Sequence, residues 1–342
     1  MVRTAGLATA AMALVTAAVA GCGSAWDINT HIADHYADKG ARLADAGDYD
    51  AALEELAKAV KFNERCAAAH ETAGDIHRRR GDYDKARDSY ENACEADPYA
   101  FRPHYNLGVV YQSLSNAAMK VNDAREYLQK AVSVYLRAVT LEPTDFDANL
   151  NLGVCYYQLG RYGSAERYTR AAMNLQPNSA QAAANLGVIL DARGRPFEAI
   201  RAYKRSIELE FNQPVVLMNL GAIYVRQNRL PLALRYFQQA RDQAPENAAV
   251  HEQLGGCHYH MGNYDAAEQA YRKAISLDPR SDVAHRGLGV VLMSRYVSGE
   301  RRNQLRQEAL EAWLQSLEIN PEQPRLAALV EKYTPQTAGE QL

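Results

Sequence analysis

Small and apolar positions along this chain recur with a period of 34 residues from about residue 33 onward. Glycine holds the eighth position of every period, at Gly40, Gly74, Gly108, Gly153, Gly187, Gly221, Gly255 and Gly289. Alanine holds the twentieth, at Ala52, Ala86, Ala131, Ala165, Ala199, Ala233, Ala267 and Ala309. Seven residues further on stand Ala59, Ala93, Ala138, Ala172, Ser206, Ala240, Ala274 and Ser316. Two helices need small residues where they cross closest, because a larger side chain would push their axes apart. Turn signals such as Gly81-Asp82-Tyr83 and Gly262-Asn263-Tyr264 fall between the first two positions, with glycine supplying the left-handed conformation that ends a helix. Proline closes six periods, at Pro98, Pro143, Pro177, Pro245, Pro279 and Pro321, where it cannot continue a helix. Glu64 and Phe211 replace it in the first and fifth. Each period thus predicts two helices joined by a short turn, and eight periods fill residues 33–323.

This spacing of glycine, alanine, alanine and proline resembles the tetratricopeptide repeat. The resemblance implies an all-α fold, a right-handed superhelix or α-solenoid of about eight antiparallel hairpins, spanning 33–66, 67–100, 101–145, 146–179, 180–213, 214–247, 248–281 and 282–323. The third repeat holds 11 extra residues within Ser113 to Arg125, close to three helical turns, so both of its helices can lengthen without losing the phase of their apolar faces. The eighth holds 8 extra around Tyr296 to Gln304 and carries Arg295, Arg301, Arg302 and Arg306. That insert reads either as a solvated basic loop or as a docking surface for acidic partners or lipid headgroups. Past Pro324, the spacing of Leu326, Leu329, Val330 and Tyr333 describes one amphipathic helix over 324–333, the cap that a solenoid needs on its last open face. Residues 334–342 read as a flexible tail.

The N-terminus follows a different pattern. After Arg3 there is no charge until Asp27, with an apolar block from about Leu7 to Ala20. The block is too short and too rich in alanine for a spanning helix, which needs ~20 strongly apolar residues, and reads as an export leader over 1–21. Val19-Ala20-Gly21-Cys22 resembles a bacterial lipobox. The resemblance implies cleavage before Cys22, acylation of its thiol, and a lipidated tether over 22–32. Acyl chains contribute about 0.8 kcal/mol per buried CH2, enough for a multiply acylated cysteine to hold a protein on a bilayer. Gly23 in place of an aspartate favours the outer membrane, by resemblance to Gram-negative lipoproteins. An ordinary cleaved signal peptide and an uncleaved anchor are the competing readings.

The family geometry places the sixth repeat position in the concave groove, where the chain reads Asp38, Thr72, Asn106, Asn151, Asn185, Asn219, Gln253 and Gly287. An asparagine amide both donates and accepts, so a row of four can hold a peptide backbone without reading its side chains. Adjacent helices lie about 8 to 10 Å apart and an extended chain advances ~3.3 Å per residue, so one amide meets roughly every third residue. The row resembles the asparagine ladder of O-linked N-acetylglucosamine transferases; bonding of these amides to a neighbouring helix is the competing reading. Tyr105, Tyr157, Arg226 and Tyr259 flank the row and complete the expected peptide-binding groove. No lysine stands at the fifth positions, which sets the chain apart from relatives that clamp chaperone C-termini.

Composition narrows the function. A net charge of -3 gives no electrostatic case for nucleic acid, and the 21 tyrosines fall mainly at helix-packing positions. Cys155 and Cys257 hold equivalent tenth positions, where a thiol packs as a small apolar group; Cys66 and Cys94 are near enough in the repeat frame for an exported protein to oxidise. His251 and His258 share a helical face, yet both fall at packing positions. No catalytic, metal-binding or cofactor motif is expected, and no small-molecule substrate. The expectation is a non-enzymatic, membrane-tethered scaffold that binds proteins or extended peptides in the bacterial cell envelope. An assembly factor resembling secretin pilotins, an activator of cell-wall enzymes, and a bridge working through the convex face are the alternatives.

Overall fold

The computed structural model describes residues 25–300 and 302–334, so the leader at 1–21, Cys22 and residues 335–342 lie outside it. Among the described residues there are 17 α-helices and no strand. Two compact units divide the chain, Met1–Gln176 and Pro177–Leu342.

In the first unit the hairpins are α1 (Ala25–Asp45) with α2 (Tyr49–Phe62), α3 (Ala67–Arg80) with α4 (Tyr83–Ala96), α5 (Phe101–Ala117) with α6 (Val121–Leu141), and α7 (Phe146–Gln158) with α8 (Tyr162–Leu175). In the second they are α9 (Ala180–Ala192) with α10 (Pro196–Leu209), α11 (Pro214–Arg226) with α12 (Leu230–Gln243), α13 (Ala248–His260) with α14 (Tyr264–Leu277), and α15 (Asp282–Arg295) with α16 (Asn303–Ile319). A single helix, α17 (Pro324–Tyr333), follows.

Every twentieth-position alanine is 0% exposed, and so is every small residue seven positions later, including Ser206 and Ser316. The eighth-position glycines have a more specific partner than the neighbouring backbone. A Cβ on Gly74, Gly108 or Gly221 would stand 2.7, 2.6 or 2.5 Å from the ring of Tyr90, Tyr135 or Phe237, the residue at position 24 of the same hairpin. Glycine is therefore the space into which the large side chain of the second helix packs. The hairpin turns use positive φ, as at Gly81 (φ 80), and in the sixth hairpin Asn228 (φ 56) takes that place.

The chain departs from the sequence reading at its start. Residues 25–32, expected as tether, are the first turns of α1. Ile28, Ile32 and Tyr36 follow one another at intervals of four, and Tyr36 stacks on Phe62 with ring centroids 5.7 Å apart, so the apolar face of the helix runs upstream of the repeat boundary. In the third hairpin both helices are long, 17 and 21 residues against 13 and 14 in the fourth, and Ser115 donates to the Ala124 carbonyl across the added turns. In the eighth, a π-helical turn at Tyr296–Glu300 contains Gly299 at φ 129, a conformation that only glycine adopts readily. Leu326 of α17 is buried in the core with Trp313, and Val330 and Tyr333 pack against it.

A polar tie recurs where one hairpin meets the next. The fourth residue of the incoming helix reaches back six positions to a loop carbonyl: His70 to Glu64 (2.8 Å), His104 to Pro98 (3.2 Å), Asn149 to Pro143 (3.1 Å), His251 to Pro245 (2.8 Å) and His285 to Pro279 (3.1 Å). A carbonyl can only accept, so each imidazole carries its proton on Nε2. Where Phe211 replaces proline, the job passes to glutamines: Gln213 donates to the Ser206 and Glu210 carbonyls, and Gln243 donates to the Phe211 carbonyl.

Candidate functional site

The two sixth-position amides of the first unit, on Asn106 and Asn151, are engaged by the chain itself. Asp75, at the ninth position of the second hairpin, is the hub. Its Oδ1 accepts from the Tyr90 hydroxyl at 2.5 Å and from Asn106 Nδ2 at 3.4 Å. Arg78 lies 3.6 Å and Arg102 3.9 Å from the same carboxylate, and Arg102 also reaches Glu71 at 3.2 Å. Burial raises the Tyr90 pKa, and the charge of Asp75 adds to it. Asn151 Nδ2 donates to the Tyr105 hydroxyl at 3.3 Å. The Tyr105 ring stacks on Phe101 and tilts against Tyr135, and burial raises its pKa too. Tyr157 is half-buried against Tyr162.

The second unit presents the same positions differently. Asn185 and Asn219 are half-buried and carry no hydrogen bond within the described residues. Their neighbours in the repeat frame are the half-buried Ala184, Val188, Met218 and Ala222, an apolar row. Arg226, expected as a ligand contact, holds Asp191 through both carboxylate oxygens at 2.5 and 2.7 Å. Tyr259 shares a hydrogen bond with Ser294 at 3.2 Å and packs against Tyr264. Cys22, the expected lipidation site, lies outside the described residues.

Two features escaped the sequence reading. The Asp75 hub was visible in principle, since the ninth position is Ala, Val or Gly in every other hairpin. The histidine ties explain His251, whose Nε2 holds the Pro245 carbonyl, while His258 keeps an unpartnered Nδ1 in the interior. Cys66 and Cys94 are free thiols, and burial pushes Cys94, like Cys155, up to about 12, which keeps them protonated and unreactive. The expected basic insert is neutralised at Arg295, which meets Glu268 at 2.6 Å and Asp265 at 3.1 Å, while Arg306 lies over the uncharged Tyr296 ring. Among the described residues no helix is long and apolar enough to cross a membrane.

Stacked hairpins with small-residue crossings and a polar row along the first helices define a tetratricopeptide-repeat protein. The chain belongs to the family of the cilia and flagella-associated protein 70 C-terminal domain, whose model matches residues 3–289 and so runs through the stretch read as a leader. No curated protein sequence matches the chain significantly. Among solved structures it resembles a tetratricopeptide repeat protein from Parabacteroides merdae, with a TM-score of 0.54 and 19% identity over 77% of this chain and 99% of that one. It also resembles PilF of Pseudomonas aeruginosa, with a TM-score of 0.52 and 21% identity over 65% of this chain and 96% of that one. At these identities the likeness is one of fold. Tetratricopeptide-repeat chains are generally non-catalytic scaffolds that bind protein or peptide partners.

Proposed function

We propose that this chain is a scaffold of the bacterial cell envelope, tethered by acylation of Cys22, whose second unit takes an extended segment of a partner protein. The observation that carries the reading is the pair of open amides on Asn185 and Asn219 within an aliphatic row. A half-buried carboxamide without a protein partner is a group to which a peptide backbone adds hydrogen bonds while the aliphatic side chains beside it lose water. The amides of Asn106 and Asn151 are already engaged, so the first unit contributes less to capture.

The test is crosslinking and mass spectrometry on native membranes. Cys22→Ala should move the protein from the membrane to the soluble fraction. The Asn185→Ala/Asn219→Ala pair should weaken capture about tenfold, from two hydrogen bonds of roughly 0.5–1.5 kcal/mol each, while Asn106→Ala/Asn151→Ala changes it little. Equal losses from the two pairs would overturn the assignment to the second unit. The partners recovered would decide between secretin assembly and activation of cell-wall enzymes.

A further inference from the structure

In the second hairpin a complete polar cluster shows what belongs at the groove end of a position-24 tyrosine. Tyr90 packs its ring on Gly74, and its hydroxyl donates to Asp75 Oδ1. Asn106 of the following helix donates to the same oxygen. In the third hairpin Tyr135 likewise donates to Gln112 Oε1 at 2.6 Å. Each of these hydroxyls ends on an acceptor supplied by the first helix of its own hairpin.

Tyr271 is the corresponding residue of the seventh hairpin, and its acceptor is missing. The ring passes between α13 and α15. A Cβ on Gly255 would lie 2.9 Å from its carbons, and one on Gly287 would overlap them outright. Where the second hairpin has Asp75, the seventh has Gly256, whose added Cβ would meet the Tyr271 hydroxyl at 3.4 Å. Where the next helix has Asn106, this one has Gly287. Tyr271 is 8% exposed, and its hydroxyl forms no hydrogen bond within the described residues. Gly256 leaves the Tyr271 hydroxyl uncovered where the second hairpin has a carboxylate, and Gly287, whose space the tyrosine ring fills, supplies no amide in its place.

The surrounding charge selects what can enter. Glu252 and Arg286 both act on the Tyr271 hydroxyl, with Tyr259 beside them, and burial is the main reason its pKa rises to about 12. Arg286 is already held by Gln323 at 2.7 Å and Asp282 at 3.7 Å, whereas Glu252 presents a carboxylate bonded to Ser281. An incoming carboxylate would be repelled by Glu252, while the one cation acting on this hydroxyl, Arg286, already faces Asp282. An uncharged oxygen meets no such penalty.

We infer that the uncovered Tyr271 hydroxyl beside Gly256 marks a subsite of the groove that takes a neutral amide oxygen of an extended peptide partner, with that hydroxyl as its donor. The inference rests on the proposed groove and adds the chemistry of one position in the ligand. The amide oxygen comes from the peptide main chain or from an asparagine or glutamine side chain.

The experiment uses the full chain and a displayed library of random linear twelve-residue peptides, with recovered sequences resynthesised and titrated by fluorescence anisotropy. Tyr271→Phe keeps the ring against Gly255 and Gly287 and should leave the melting temperature unchanged while weakening binding ~10-fold. Gly256→Asp supplies the carboxylate that Asp75 provides in the second hairpin and should weaken binding at least as much; Gly256→Ala controls for bulk. Alanine replacement of an asparagine or glutamine in the peptide that abolishes the Tyr271→Phe effect identifies a side-chain oxygen; an ester replacing one amide with the same result identifies the main chain. Unchanged affinity in Tyr271→Phe and Gly256→Asp, with loss in Asn185→Ala/Asn219→Ala, overturns the subsite and leaves the groove reading standing. The reverse pattern keeps the subsite and overturns the role of the two amides. Peptides whose Tyr271-sensitive position is aspartate or glutamate overturn the neutral acceptor, and a library that yields no binder overturns both readings.

Discussion

The two units are made from one hairpin template and treat the same groove position in opposite ways. In the first, Asp75 gathers Tyr90 and Asn106, and Asn151 rests on Tyr105, so both amides donate within the chain. In the second, Asn185 and Asn219 stand free beside small aliphatic residues. An asparagine at a repeat position is therefore open or closed according to the residue opposite it on the neighbouring helix.

The comparison breaks most visibly if the wrong unit is disabled. Gly221→Val drives a side chain into the Phe237 ring and Gly108→Val into the Tyr135 ring, each costing about 3 kcal/mol by overpacking, read as a lower melting temperature. Only Gly221→Val should also abolish peptide capture; equal loss from Gly108→Val would sink the contrast. Asp75→Ala sharpens it, because it removes the acceptor of a buried tyrosine and should cost about 2 kcal/mol in chemical denaturation. That cost would vanish if the cluster were ornamental.

A smaller effect follows from the buried imidazoles. Burial is the first cause holding His77 and His104 in the first unit, and His258 in the second, below the usual imidazole range. Lys85 and Arg137 add to it at His77 and His104, against the opposing Asp82 carboxylate and Pro98 carbonyl. The unfolded chain takes up these protons from about pH 6.5, before the folded chain does, so stability falls as pH drops through that value toward the lower folded ones. Glu71, raised by burial, binds its proton sooner in the folded chain and works against the fall at the acid end. Thermal melts at pH 7.5 and 5.5 should show His77→Gln/His104→Gln removing more of the acid sensitivity than His258→Gln. The least consequential change is Arg226→Ala: the pair with Asp191 is more than half exposed on the arginine side, and its loss should cost under about 1 kcal/mol in a urea melt.

The repeat frame was legible because its cause is local. Ala86, Ala131 and Ala233 must be small wherever two helices cross, and all three are fully buried. The lengthened third hairpin was legible for the same reason, since an insert close to three turns preserves helical phase. What escaped depends on pairings between hairpins. Asn106 bonds Asp75 across 31 residues and Asn151 bonds Tyr105 across 46, so one repeat read alone does not say whether its amide is free. The upstream extension of α1 left a trace in Ile28, Ile32 and Tyr36, but a frame counted from glycine spacing starts too late to register it. The π-helical turn at Tyr296–Glu300 has no sequence period at all.

The ties between successive hairpins bear on where this polypeptide can be cut. His104, His251 and His285 each reach six residues back, past the start of their own helix, to the carbonyl of Pro98, Pro245 or Pro279. A fragment begun at the helix start would leave that imidazole with an unanswered donor, at roughly 1–3 kcal/mol where it is buried. Anyone trimming the chain for crystallisation, or grafting one repeat into a designed array, should place the scissors ahead of the proline, because the smallest transferable piece is offset from the repeat as the eye draws it.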